Sequence, residues 1–157
     1  MSGPDWLPDL IRLTDYEGDW RQYIESVYAV FRRDFIEDVA RCRGDFVRVG
    51  DQSIDGKERT FWHITSEGNV EQNRVPDLRR CERIGWVRAI IDHDGDPTVL
   101  CWPQMRGRKR RHILWMKEAD FAVVLEKRPG CWWLWTAYPT ERQHTREKLL
   151  KEYDACK

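Results

Sequence analysis

The strongest constraint on the fold is a series of three apolar segments in the C-terminal third of the chain. The segments are residues 112–116, 121–125 and 132–138. The polar stretches between them, around 117–120 and 127–130, have the length of hairpin turns. Parallel strands need a crossover of a dozen or more residues. We therefore expect the three segments to be consecutive strands that pair antiparallel.

Helices and further strands are predicted from the spacing of apolar residues elsewhere. Apolar residues recur every three or four positions in 19–38 and in 77–91, which is typical of amphipathic helices. A third helix is expected at 141–153, after the last strand. Shorter segments at 60–65 and 99–102 are rich in aromatic and aliphatic residues and are predicted to be additional strands.

This order of elements predicts an α+β protein with an antiparallel sheet flanked by helices and a C-terminal helix after the last strand. A chain of 157 residues has the length of one domain. We assign residues 1–157 to a single domain, with an irregular N-terminal segment at 1–15.

Acidic and basic residues are equal in number over the whole chain, but basic residues are concentrated in one short segment. Lys and Arg number 27, as do Asp and Glu, so no global attraction to nucleic acid is expected. Five of the six residues from 106 to 111 are nevertheless Arg or Lys. Guanidinium groups bind phosphate through two parallel hydrogen bonds. This run is therefore a candidate phosphate-binding segment, or alternatively an ordinary solvated basic loop.

Several classes of protein are disfavoured by the motifs that the chain lacks. The five cysteines include no CxxC pair, and there is no Walker loop, GxGxxG or GxSxG motif. We therefore expect no metal and no cofactor. The N-terminus does not have the pattern of a signal peptide, and no apolar run reaches the roughly 20 residues that span a bilayer. We expect a reduced, cytoplasmic protein without a membrane partner.

The side chains suited to metal-free phosphodiester chemistry are a histidine, a hydroxyl pair and the arginine run. His63 titrates near neutral pH and suits proton transfer. Thr136 and Tyr138 are two residues apart, so on a regular strand they share a face with Trp132 and Leu134. A solvent-exposed or core histidine, and hydroxyls placed for packing alone, are the alternatives.

Several short motifs in order resemble phage-encoded members of the barnase–EndoU–colicin–RelE superfamily of ribonucleases. They are Phe61-Trp62-His63-Ile64, the segment from Asp77 to Arg83, Thr136-Ala137-Tyr138, and a closing helix rich in Arg and Lys. The resemblance covers roughly residues 57–154, which we assign to the ribonuclease-like core. It implies a small α+β domain and a metal-independent endoribonuclease, often a toxin or a processing module, acting in the cytoplasm of a host cell.

The resemblance implies roles for His63, Thr136 and Tyr138 at the catalytic site. His63 would be general base or acid, Thr136 would position the phosphate, and Tyr138 would stack a base or donate a proton. The cation would be Arg111 or Arg110, alone or together with Arg79 or Arg80. Strand alternation allows only one of Arg110 and Arg111 to face a given cleft. We name Arg111 as catalytic, and as substrate-binding residues Arg79, Arg80, Arg83, Arg110, Trp133 and Arg142.

The expected reaction is cleavage of RNA by transesterification, in which the 2′-OH attacks and a 2′,3′-cyclic phosphate remains. RNA is then the expected partner, together with a protein inhibitor or another phage protein. One alternative is a catalytically inactive adaptor on the same fold that binds protein or RNA. The other is a structural phage protein that oligomerises through its tryptophan-rich surface.

Overall fold

A six-stranded sheet organises the part of the chain that the computed structural model describes, residues 4–68 and 75–156. The strands in chain order are Arg41–Cys42 (β1), Asp45–Arg48 (β2), Ser53–Ile54 (β3), Lys57–Glu58 (β4), Ser66–Glu67 (β5), Val75–Pro76 (β6), Leu100–Arg106 (β7), Lys109–Met116 (β8), Phe121–Arg128 (β9) and Cys131–Pro139 (β10). The α-helices are Trp20–Arg32 (α1), Arg59–Thr65 (α2), Leu78–Glu82 (α3), Ile84–Asp92 (α4) and Gln143–Ala155 (α5). A 3₁₀-helix, Leu13–Tyr16, precedes α1, and a π-helical turn, Arg33–Glu37, extends it.

The strands of the main sheet lie in the order β1-β2-β10-β9-β8-β7, and β3-β4 and β5-β6 form two small separate two-stranded sheets. The last four strands pair antiparallel with their neighbours, as their short connections predict. The predicted α+β class is confirmed, as is the helix after the last strand. The exception to antiparallel pairing is β2, which runs parallel to β10 over three residue pairs.

The sheet is strongly curled. Arg43, in the turn between β1 and β2, donates to the carboxylate of Asp94 at 2.8 Å and to the sulfur of Cys101 on β7 at 3.3 Å. Because β1 and β7 are the two opposite edges of the sheet, one arginine side chain reaches both only if the edges approach each other. The face inside this curl is called the inner face below, and the other the outer face.

The two faces pack against different helices. Trp132, Leu134 and Ala137 of β10 belong to the main core on the inner face, together with the apolar side of α1 and of α4. On the outer face Trp102 and Trp115 pack against Leu149 of α5. The helix covers only part of that face, and the remainder holds the candidate site.

The predicted strand at 60–65 is wrong, because these residues form helix α2. Phe61, Ile64 and Thr65 are buried at helical spacing, and the hydroxyl of Thr65 donates to the carbonyl of Phe61 at 2.8 Å. Phe61 packs on Phe31 of α1, with ring centroids 5.4 Å apart. A six-residue apolar run fits either period, and tertiary packing on α1 selects the helix.

The predicted common face for Trp132, Leu134, Thr136 and Tyr138 is also wrong. The pairing of β10 with β9 shifts between Leu134 and Thr136, which marks a β-bulge. One extra residue in a strand reverses the side to which later side chains point. Thr136 and Tyr138 therefore lie on the outer face, while Trp132 and Leu134 lie on the inner face.

Two helix predictions need smaller corrections. The helix expected at 77–91 is divided at Arg83, whose φ of −105° and ψ of 21° interrupt it, into α3 and α4. The last helix begins at Gln143, two residues later than expected. Among the described residues, no helix combines the length and apolarity needed to cross a membrane.

Candidate functional site

Helix α2 places His63 against the edge of β10. Strand β2 pairs with β10 only at residues 131–133, which leaves the next residues of that edge to α2. The imidazole of His63 lies 5.5 Å from the ring of Trp135, centroid to centroid. Trp135 sits in the bulge of β10, between the paired residues Leu134 and Thr136. The histidine is thus held on the outer side of the sheet by a helix rather than by a strand.

Two cations of β8 lie over the same tryptophan. The guanidinium of Arg111 is 4.5 Å from the centroid of Trp135, and the ammonium of Lys109 is 5.6 Å away. Both contacts fall within the range of cation–π attraction. Arg110 alternates with them and points to the inner face, where burial first, and then the charges of Arg43 and Arg110, lower the pKa of His112. Arg111 is therefore the member of the predicted pair that lies on the side of His63.

A buried carboxylate joins Arg111 to a second arginine. Glu126 is 2% exposed and accepts from Nε of Arg111 at 3.4 Å and from Nε and Nη2 of Arg128 at 3.1 and 2.9 Å. Arg128 lies 4.5 Å above the ring of Trp133. The carboxylate holds each guanidinium over its own tryptophan. A buried carboxylate is expected to be paired, and the loss of its partners would be costly.

Beside these contacts lies a cavity of about 260 Å³ between α2 and β10, the His63 cavity. It is lined by Gly50, Arg59, Thr60, His63, Arg128, Trp133, Leu134 and Trp135. The hydroxyl of Thr60 accepts the backbone N–H of Gly50 at 2.7 Å and fixes the wall opposite β10. The cavity therefore combines a titratable ring, two guanidinium groups and two indoles.

The sheet around this cavity carries an unusual density of cations. Residues that pair across strands share a face. The pairing therefore places five cations on the outer face with Trp133 and, at its far edge, Arg41 of β1, and Trp135 packs on the same face. This surface is called the basic face: Arg48 of β2, Arg106 of β7, Lys109 and Arg111 of β8, and Arg128 of β9. Glu126 is the acid that the strand pairing places among them, and it is buried.

A second cavity, of about 280 Å³, contains a different part of the predicted site. It is called the Tyr138 cavity and is lined by Glu67, Asp77, Arg79, Arg80, Tyr138, Pro139, Glu141, Arg142 and Thr145. Arg79 pairs with Glu141, and Arg80 pairs with Asp77. Burial, more than the nearby Glu152, raises the pKa of the Tyr138 hydroxyl. The arginines here are largely neutralised by carboxylates.

The structure thus distributes the predicted residues over several places. His63 and Trp133 line one cavity with Arg111 beside it, whereas Tyr138 lines the other with three of the predicted arginines. Thr136 pairs with Val124 on the outer face, in neither lining set. Arg83 lies 5.1 Å from the ring centroid of Trp86, away from both. Among the described residues, no cluster of three His, Cys, Asp or Glu suits a metal ion.

Sequence reasoning missed the residues that complete the His63 cavity and its support. Glu126 and Arg128 end the apolar run of β9 and carry no motif, although a carboxylate inside a strand is a signal for a buried ion pair. Arg59 and Thr60 were missed because residues 60–65 were predicted to form a strand, whereas they belong to helix α2. Trp135 was recognised only as part of an aromatic run, because the bulge that turns it toward His63 leaves no mark in the sequence.

Comparisons with known proteins add little to this geometry. No protein-family model matches the chain, and no solved structure gives a significant match. Galectin-3-binding protein from Bos taurus is 30% identical over 56 residues, which is 36% of this chain. The chain spans 10% of the length of that protein. A match this short does not assign the chain to its family.

Proposed function

We propose that the protein binds RNA on the basic face. The observation that supports this best is the collection of five cations around two half-buried tryptophans, in a chain whose net charge is zero. Lys and Arg gain affinity for nucleic acid by releasing condensed counterions from phosphates. Aromatic rings and the planes of arginine side chains stack with unpaired bases. Both kinds of group lie on one surface here.

Cleavage of the bound RNA is the activity we propose for the His63 cavity. His63 would take the 2′-OH proton or protonate the leaving 5′-oxygen, and Arg111 would neutralise the charge that develops on the phosphate. The product would be a 2′,3′-cyclic phosphate. Supporting this assignment, His63 and Arg111 approach the same ring, Trp135, at 5.5 and 4.5 Å. Arg128, held by Glu126, would be the second cation at the phosphate.

An RNA-binding adaptor without catalysis is the second candidate. It is favoured by a specific observation: Tyr138 lines a different cavity from His63. The resemblance implies that the Tyr138 hydroxyl and the His63 imidazole act on the same phosphate, but the two groups belong to different cavities. The two candidates share the basic face and differ only in chemistry.

Two measurements separate these proposals. The first is the affinity for an unstructured RNA oligomer as a function of salt, which should fall steeply if phosphates are neutralised. Absence of binding at low salt would refute the RNA partner. The second is cleavage of the same RNA in EDTA, compared with an oligomer whose ribose lacks the 2′-OH at the cleaved nucleotide. Cleavage of only the ribose form supports the ribonuclease, and binding without cleavage supports the adaptor.

A further inference from the structure

The walls of the His63 cavity suit a flat aromatic ligand. Trp133, Trp135 and His63 are the ring-bearing residues that line a space of about 260 Å³. A bare anion gains little from such walls, because their contribution is dispersion and the burial of apolar surface. A planar ring in this space would contact Trp133 or Trp135.

The polar groups of the cavity indicate which charge and hydrogen-bonding groups a ligand should carry beside its aromatic ring. Arg59 and Arg128 line it, and none of the described residues that line it is acidic. Guanidinium groups only donate hydrogen bonds. The matching ligand therefore carries acceptors and negative charge next to an aromatic ring, which is the chemistry of a nucleotide.

The cavity is also held open in advance. Arg128 is fixed by Glu126, and the Gly50 backbone is fixed by Thr60 at 2.7 Å. A Cβ at Gly50 would lie 3.2 Å from the Thr60 hydroxyl and 3.3 Å from the Trp133 ring. The absence of a side chain at this position keeps the loop in contact with Trp133. A preformed site loses less conformational entropy when its ligand binds.

We infer that the His63 cavity binds a single unpaired nucleobase of the RNA whose backbone lies on the basic face. This inference rests on the proposed RNA-binding function and adds the place and the class of the bound group. A base enters such a pocket only when it is not stacked in a duplex. RNA with unpaired bases is therefore selected over double-stranded RNA of the same sequence.

The test uses the full chain, labelled with ¹⁵N, and the indole N–H signals of its tryptophans. The signals of Trp133 and Trp135 are assigned with the variants Trp133→Phe and Trp135→Phe, and Trp86, which lines neither the His63 cavity nor the basic face, is the control. Guanosine and uridine 5′-monophosphates are titrated in parallel with ribose 5-phosphate. The inference predicts that the nucleotides shift Trp133 and Trp135 but not Trp86, with affinity about tenfold or more above that of ribose 5-phosphate, because the base adds stacking.

Equal affinity for ribose 5-phosphate and the nucleotides would overturn the inference, since the cavity would then be an anion site only. The inference would also be overturned if the nucleotides did not shift the indole N–H signals of Trp133 and Trp135. Arg59→Gln should lower the affinity for the nucleotides at least severalfold. Arg32→Gln, which removes an equal charge from α1, should leave that affinity unchanged. Thermal unfolding of both variants confirms that they are folded.

A separate comparison distinguishes failure of this inference from failure of the proposed function. An unstructured RNA oligomer is compared with an oligomer of the same length in which every base is removed. If both bind equally, RNA binding stands and the base pocket is refuted. If neither binds at low salt while the nucleotides still shift Trp133 and Trp135, the pocket stands and the proposed RNA function is refuted.

Discussion

The inner and outer faces of the sheet each contain a histidine next to an arginine and a tryptophan, but the two settings differ in kind. On the inner face His112 is 4% exposed, meets the ring of Trp132 edge to face with centroids 4.9 Å apart, and its Nε2 lies 3.4 Å from Arg43. On the outer face His63 is half-buried at the wall of a cavity. The same three side-chain types are thus packed in the core on one face and border an open cavity on the other.

The difference lies in what surrounds each group. The main core closes over the inner face, and burial together with Arg43 and Arg110 lowers the pKa of His112 to about 4. On the outer face α5 covers Trp102 and Trp115 but does not line the His63 cavity. Both histidines have arginines nearby, so the feature that distinguishes His63 from His112 is its position at an open cavity.

The largest expected effect is on catalysis by His63, if the cavity cleaves RNA. His63→Ala should reduce cleavage by ~10²–10⁴-fold, the usual contribution of a positioned proton-transfer group, while the fold is retained. Cleavage and thermal stability are measured on one preparation. A destabilised variant that keeps normal activity per folded molecule would show that His63, like His112, is structural.

Adjacent tryptophans of β10 should differ in their contribution to stability, because they point to opposite faces of the sheet. Trp132 is 4% exposed on the inner face, and its indole N–H donates to the carbonyl of Cys42 at 3.0 Å. Trp132→Ala should lower the free energy of unfolding by about 3–5 kcal/mol, the usual cost of a large aromatic in a core. Trp133→Ala should cost clearly less and should instead weaken RNA binding. Urea denaturation measures both, and equal losses would contradict the assignment of the two faces.

The pH dependence of stability should come from the inner histidine. The folded pKa of His112, about 4, is below its ordinary value of 6.5. The unfolded chain therefore takes up a proton first, and stability should fall as the pH drops from 6.5 toward 4. A pKa difference of two and a half units between the folded and unfolded states lowers the free energy of unfolding by at most about 3 kcal/mol.

The control for this effect is His112→Gln. Its urea midpoint should change less than that of the wild type between pH 6.5 and 4.5, because the variant has no proton to take up there. If the two proteins lose stability in parallel over this range, His112 is not the group responsible.

The fold was predictable where contacts are local in sequence. The strands of the C-terminal third follow from apolar runs and short turns, and the alternation of Arg110 and Arg111 correctly separated their faces. Strand β2 was missed because it is defined by pairing with β10, more than 80 residues away, and the two-residue strand β1 was missed because it is defined by pairing with β2. Residues 60–65 were misassigned because packing on α1, not their own pattern, selects a helix.

The candidate site depends on these nonlocal features. The bulge after Leu134 separates Tyr138 from the inner residues of its own strand, and helix α2 brings His63 to Trp135. Glu126 meets Arg111 through the register of β8 and β9. The spacing of residues along the chain does not show any of these contacts. The sequence could therefore suggest the types of side chain in the candidate site but not which residues come together there.

Two triple variants of equal charge test whether RNA lies on the basic face. One replaces Arg48, Arg106 and Lys109 with Gln, and these exposed residues are outside the Glu126 ion pairs. The other replaces the exposed arginines Arg12, Arg21 and Arg32, which precede or belong to α1, with Gln. The affinity of each for an unstructured RNA oligomer is measured as a function of salt.

For single-stranded RNA, the slope of log K against log salt decreases in magnitude by ~0.7 for each phosphate that the protein no longer neutralises. The basic-face variant should therefore bind more weakly and with a slope about two units shallower, and the α1 variant should match the wild type. Equal losses of affinity in both variants, or an unchanged slope in the first, would contradict the account and place the RNA elsewhere.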